Sequence, residues 1–246
     1  GDCIVVNSLS GKKTVLQRNL GQFGEFFIRS NASISIINKV VGKAESFVSD
    51  MVSAIDTFGI PSKEKGHEDY RDGDLLLLHS VGANNQGTDF ISKDVVTKNI
   101  ELINKFKIKI SILVPQNGEV GVSPEKGYRS ISSPQILYPG TVDSFSYLNI
   151  GFFDTEVEAK NFRDFMTCKL PRYMMRTTYS SVHISKVNFI FVPMMDFHQS
   201  WDDERLYRYF ELDDEEKNAI EKTMRPLVVE KDDIGKEYYL EHYTQR

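Results

Sequence analysis

Apolar and polar positions change rhythm several times along this chain. CIVVN at 3–7 and GKKTVLQRNL at 11–20 flank a turn at Ser10-Gly11-Lys12, the pattern of two short strands. From Ser30 the period lengthens. Ile34, Ile36, Ile37, Val40, Val41 and Phe47 recur at helical spacing behind the capping residues Ser30 and Asn31, which predicts helix over most of 31–53. LLLLHS at 75–80 reads as a short buried strand. In KFKIKISILVP at 105–115, Ile108, Ile110 and Ile112 alternate with Lys107, Lys109 and Ser111, predicting a half-buried strand with a basic exposed side.

The stretch 115–145 is rich in Gly, Pro and Ser and has little periodicity, as expected of a long irregular loop. Thr155 and Glu158 then form a capping box before Phe162, Phe165 and Met166, and Pro171 is expected to end or kink that helix. VNFIFVP at 187–193 alternates like a strand closed by Pro193. In SWDDERLYRYF, Ser200 and Asp203 read as a capping box, with Leu206, Tyr209 and Phe210 as the apolar stripe behind it. Trp201 reads as the anchor of that helix start, and Asp213 with Glu216 caps the next helix. Strands and helices without a regular alternation predict an α+β fold: a mixed sheet with packed helices, long irregular loops and a helical C-terminal segment.

Composition changes this picture at a few points. At 246 residues with 40% hydrophobic content the chain can bury a sizeable core. It has no membrane-spanning run and no secretory leader, and Cys3 and Cys168 sit in no metal or disulfide spacing, so a cytoplasmic protein without membrane partners is expected. The net charge of -5 is uneven: residues 201–246 hold -6 and the first 200 hold +1. Between Lys160 and Ile190 six bases face one acid, Asp164, a candidate phosphate-binding run. Catalytic signatures are lacking. SGKKT at 10–14 has no upstream glycine to build a phosphate loop, and the five histidines are scattered singly. Asp154, Glu158 and Lys160 superficially match a metal-dependent nuclease, but they fall on a helix start rather than a bent strand pair.

A further set of residues forms a family-like series. Pro139, Gly140, Val142, Ser144, Ser146, Tyr147 and Leu148 are followed by Phe165, Cys168, Lys169 and Arg172, then Phe191-Val192-Pro193, Asp196-Phe197, Trp201-Asp202-Asp203-Glu204 and Leu206-Tyr207. In this order they resemble the C-terminal target-recognition domain of bacterial DNA adenine-N6 methyltransferases, as in fused type II restriction-modification enzymes. FFIRSNASISIINKV and NIELINKFKIKIS resemble the family more loosely, and the likeness covers about residues 1–228. Pro171 departs from the usual apolar residue, Cys168 from threonine, and serines replace two threonines.

The resemblance implies one recognition-domain fragment, divided into a sheet and loop half (1–138), a signature half (139–228) and a tail (229–246). It implies a chain that binds double-stranded DNA without catalysis of its own, holds no cofactor, and positions an adenine for a catalytic domain that uses S-adenosylmethionine and lies upstream of Gly1. Within that reading the basic run offers Lys169, Arg172, Arg176 and Lys186 to phosphates, while the loop 116–135 offers Gln116, Asn117, Lys126, Tyr128, Arg129 and Gln135 for recognition. The alternatives are the nuclease of Asp154, Glu158 and Lys160, and a subunit-interaction domain docking through the acidic segment 201–246.

Overall fold

The first alternating pair becomes β1 (Asp2–Leu9) and β2 (Lys12–Asn19), an antiparallel ribbon that pairs Val6 with Val15 and Ile4 with Gln17. Its outer face exposes Ile4, Val6 and Val15. Its inner face holds the following helix, because Asn7 Oδ1 accepts from Asn31 N at 2.7 Å and Asn31 Nδ2 donates to Val5 O at 3.0 Å. The computed structural model describes residues 2–9, 12–24, 26–61, 63–81, 86–115, 119, 124–229 and 233–244.

Helix α1 (Asn31–Lys43) buries Ile34, Ile36, Ile37 and Val40, as the spacing predicts, but it stops at Lys43 instead of running toward 53. Beyond it the chain pairs with a distant segment. Val48 N donates to Val192 O and Met194 N to Ser46 O, each at 2.9 Å, and this extended pairing overrides the helical periodicity.

Two three-stranded sheets follow. One has the order β4-β3-β7, from β3 (Leu75–Ser80), β4 (Gln86–Ile91) and β7 (Thr141–Asp143), with β3 antiparallel to β4 and parallel to β7. The other is antiparallel, β6-β5-β8, from β5 (Phe106–Ser111), β6 (Gln135–Leu137) and β8 (Tyr147–Phe153). Helices α2 (Glu156–Thr167), α3 (Lys169–Arg176), α4 (Asp203–Tyr209) and α5 (Asp214–Thr223) pack with α1 on this second sheet in one core, where Ile36, Ile108, Ile150, Phe162 and Leu206 lie fully buried. A smaller core of Phe58, Leu75, Leu77 and Val142 lies on the first sheet, and α6 (Lys236–His242) closes the C-terminal end. The fold is α+β. The sequence boundary at 138/139 is no seam, since β3 pairs with β7 and β5 with β8 across it. Among the described residues no helix is long and apolar enough to cross a membrane.

Several local expectations change. The basic side of β5 is not exposed: Lys107 is fully buried and Lys109 nearly so, because that face meets the first sheet rather than water. Lys107 Nζ donates to the carbonyls of Ile103, Lys105 and Tyr138 at 3.0, 2.7 and 3.3 Å, and Lys109 reaches Gln86 Oε1 and lies over the Tyr147 ring. VNFIFVP is not a strand. Ser185 and Asn188 form a capping box that starts a 3₁₀ turn at Lys186–Phe189, and a segment buried on several sides mimics alternation. The helix predicted to end near Pro171 breaks at Cys168, whose ψ of 154° is extended, and Pro171 sits in the first turn of α3, where its missing N–H leaves no bond unmade.

Thr155 caps α2 and Asp213 with Glu216 forms the capping box of α5, as the sequence predicts. Ser200 does not cap α4. Asp202 does, accepting from Arg205 N at 2.7 Å, and Asp203 is drawn across to cap α3 through Lys169 N at 2.7 Å and Leu170 N at 3.2 Å. Tyr207 is buried in the stripe position given to Tyr209, which is exposed. Trp201 is buried with its Nε1 donating to Asp196 O at 2.9 Å, the anchor its position predicts.

Between the sheets, burial raises the Asp143 carboxyl to about 7 and lowers the Lys107 ammonium to about 7. As pH rises from about 4 to 7, the unfolded chain loses a proton that folded Asp143 retains, so stability falls. As pH rises from about 7 to 10.5, the unfolded chain retains a proton that folded Lys107 has shed, so stability returns. Denaturant titrations from pH 5 to 9 should therefore show a dip near neutrality that the double variant Lys107→Met/Asp143→Asn lacks. The same dip in both proteins would exclude this pair as its source.

Candidate nucleic-acid interface

The segment Phe26 to Ser30 enters α1 under restraint. Asn7 Nδ2 donates to Arg29 O at 3.1 Å, Arg18 donates to Ile28 O, and the Arg18 guanidinium lies 5.6 Å over the Phe27 ring. Across from it, α3 ends at Arg176 and the chain turns through Thr177 to Val182. Between these two walls runs a groove of about 840 Å³, lined by Phe27, Arg29, Ser30, Arg176, Thr177 and Ser180 among others, with no acidic side chain among the described lining residues. Phe27 is 53% exposed and Arg29 is exposed. The α1 N-terminus at the groove has no acid in its first turn, and Ser30 makes no capping bond with its own helix. Arginine and hydroxyl side chains are groups that contact phosphate oxygens.

Arg176 is a positioned cation. Its Nη1 donates to Glu119 Oε2 at 2.9 Å, and its guanidinium lies 3.2 Å from the centroid of the Tyr128 ring. Glu119 is 4% exposed with φ of +59°, and it also accepts from the backbone N–H groups of Arg129 and Ser130. Three donors thus hold this acid. The sequence carries no local signal for Glu119, because its partner Arg176 lies 57 residues away.

The other residues expected to bind DNA fare differently. Gln116 and Asn117 lie outside the described residues. Lys126 is exposed at the end of the 3₁₀ turn Pro124–Lys126, and Tyr128 and Arg129 are half-buried below Arg176. Gln135 is 1% exposed inside β6, so it does not read bases from a loop. Lys186 is exposed beside the groove-lining Val187. Lys169 is paired with Glu221.

Arg172 is a correction: it is fully buried and cannot meet a phosphate. Nε donates to Thr167 O and Cys168 O, Nη1 to Arg129 O, all at 3.0 Å, and Nη2 to Arg225 O at 2.9 Å. Burial lowers its guanidinium to about 10, so it stays charged near neutral pH. The basic run as a whole is largely answered by acids from elsewhere: Lys160 by Glu156 at 2.5 Å, Arg163 by Asp233 at 3.1 Å, Lys169 by Glu221 and Arg176 by Glu119.

Each of the three nuclease residues has a partner of its own. Asp154 pairs with Lys105, Glu158 accepts from Thr155 Oγ1 at 2.6 Å, and Lys160 pairs with Glu156. Among the described residues no three potential metal ligands gather.

No family model and no curated protein matches this chain. The groove itself therefore supplies the chemistry: two arginines, hydroxyls and one exposed aromatic ring. Phe27, Arg29 and Ser30 were absent from the sequence-based site. Their signal was FFIRS, an aromatic and basic run placed against a helix start with no acid.

If Arg172 is a structural tie, Arg172→Met should cost on the order of 3 kcal/mol or more in urea denaturation, because four buried or part-buried carbonyls lose their donor. Lys186→Met should stay within about 0.5 kcal/mol of the parent. A near-neutral Arg172→Met would refute that role.

Proposed function

We propose that this chain is a DNA sequence-recognition module of an adenine-specific restriction-modification enzyme. It binds duplex DNA and holds it for a catalytic domain, which carries S-adenosylmethionine and does the chemistry. The observation that carries this reading is the surface around the groove between the α1 entrance and the α3 exit, where Arg29 and Arg176 stand among hydroxyls with no acid among the described lining residues. The resemblance of 139–207 to target-recognition domains supports it and gives the class of DNA. Phosphate contacts set affinity and register, so the cations that matter are those that reach solvent or the groove. These are Arg29, Lys126, Arg176 and Lys186; Arg172 drops out because it is buried.

The catalytic domain docks on the outer face of the β1–β2 ribbon, where Ile4, Val6 and Val15 form an apolar row. That face fits a docking role better than the acidic segment 201–246, several of whose acids are engaged within the fold. Asp202 and Asp213 cap helices, Asp203 caps α3, and Glu221 pairs with Lys169.

Fluorescence anisotropy on a labelled duplex at low salt tests the reading. Arg29→Glu combined with Arg176→Gln should weaken binding at least tenfold and flatten the slope of log affinity against log salt by about two. Arg29 is exposed, so Arg29→Glu alone should leave the fold intact and still weaken binding severalfold. A parent protein that fails to bind any duplex at low salt, or variants that bind as well as the parent, would end the proposal.

A further inference from the structure

Resting on the DNA-binding reading, we propose that the groove holds a short unpaired stretch of strand, not the flank of an intact duplex. Its volume of about 840 Å³ lies in the range that encloses a compact ligand. A double helix, by contrast, receives protein elements into its own grooves and does not enter one of this size.

The lining sorts by chemistry into the parts of a nucleotide. Arg29 and the Ser30 hydroxyl, which makes no capping bond, suit a phosphate. Arg176 adds a guanidinium on the opposite wall, ion-paired with Glu119 and stacked on the Tyr128 ring. The Phe27 ring, half exposed and supported on one side by Arg18, offers a stacking surface. Thr177 donates its hydroxyl proton to Met174 O at 2.7 Å, which leaves the oxygen as an acceptor for the amino or imino groups of a base edge.

In a paired and stacked duplex the ring faces are covered and the Watson–Crick edges are used. Only an unpaired nucleotide presents its phosphate, ring face and edge to one groove at the same time. The mixture of cations, a half-exposed phenylalanine and a hydroxyl acceptor therefore selects a strand that has left the helix.

Anisotropy with three labelled ligands of equal length distinguishes the cases: a single strand, a perfect duplex, and a duplex with a short unpaired bulge. The bulged duplex should bind about tenfold more tightly than the perfect one. Phe27→Ala should remove about tenfold from the single-strand and bulge affinities and leave the perfect duplex within twofold. A 2-aminopurine in the bulge should change its fluorescence on binding the parent but not Phe27→Ala. If perfect and bulged duplexes bind equally and Phe27→Ala changes neither, the inference falls while the DNA reading stands. If no nucleic acid binds, both fall. If free deoxyadenosine monophosphate fills the groove and single strands do not compete with it, the ligand is a mononucleotide and the strand proposal is overturned.

Discussion

One buried guanidinium ties the helical layer to the loops around it. Arg172 takes carbonyls from the end of α2, from the segment at Arg129 and from the chain beyond α5, and it does so with no exposed surface. Its fork of donors matches backbone oxygens presented from several directions, which a lysine could not do with the same geometry. The break at Cys168 supplies part of this arrangement, because a helix running through 168 would have kept its carbonyls for itself. Asp203 completes the junction by capping α3 and by placing a negative charge near the arginine. The position of Arg176, about one helical turn later and at the edge of the groove, follows from this junction.

The sequence disclosed elements whose signals are local. The ribbon, α2 with its Thr155 cap, α5 with its Asp213 and Glu216 box, and the strand at 75–80 are all where pattern and capping place them. It misled wherever a distant partner decided the outcome. Alternation in β5 marks two faces but cannot say whether the second meets water or another sheet, and here it meets a sheet. Helical spacing past Lys43 loses to the pairing of 46–48 with 192–194. In the DDE run the acid chosen as the local cap depends on α3 lying close enough to draw Asp203 away.

The candidate site follows the same rule. The count of bases between 160 and 190 was readable, but their neutralisation was not, since Glu119 lies 57 residues from Arg176 and Asp233 lies 70 from Arg163. A run of like charge in sequence is a basic surface only if folding brings it no acids. The groove was hidden for the complementary reason: its two arginines are 29 and 176 in the chain and belong to no common run. What the sequence did show there was FFIRS itself, two aromatic rings and an arginine directly before the helix start.

The β1–β2 ribbon has one more consequence. A two-stranded sheet has no interior strand, so each member has an outer edge, of which Asn31 Nδ2 engages only Val5 O and Thr14 O among the described residues. This ribbon survives because Asn7, Arg18 and Asn31 fasten it to the helix entrance, since an isolated hairpin is only marginally stable. Its β-branched outer row, Ile4, Val6 and Val15, combines with those edges into a template on which further strands can add. With that face uncovered, strand addition at the ribbon would make self-association rise with concentration. A charged side chain at Val15 would interrupt the row without disturbing the fastened inner face.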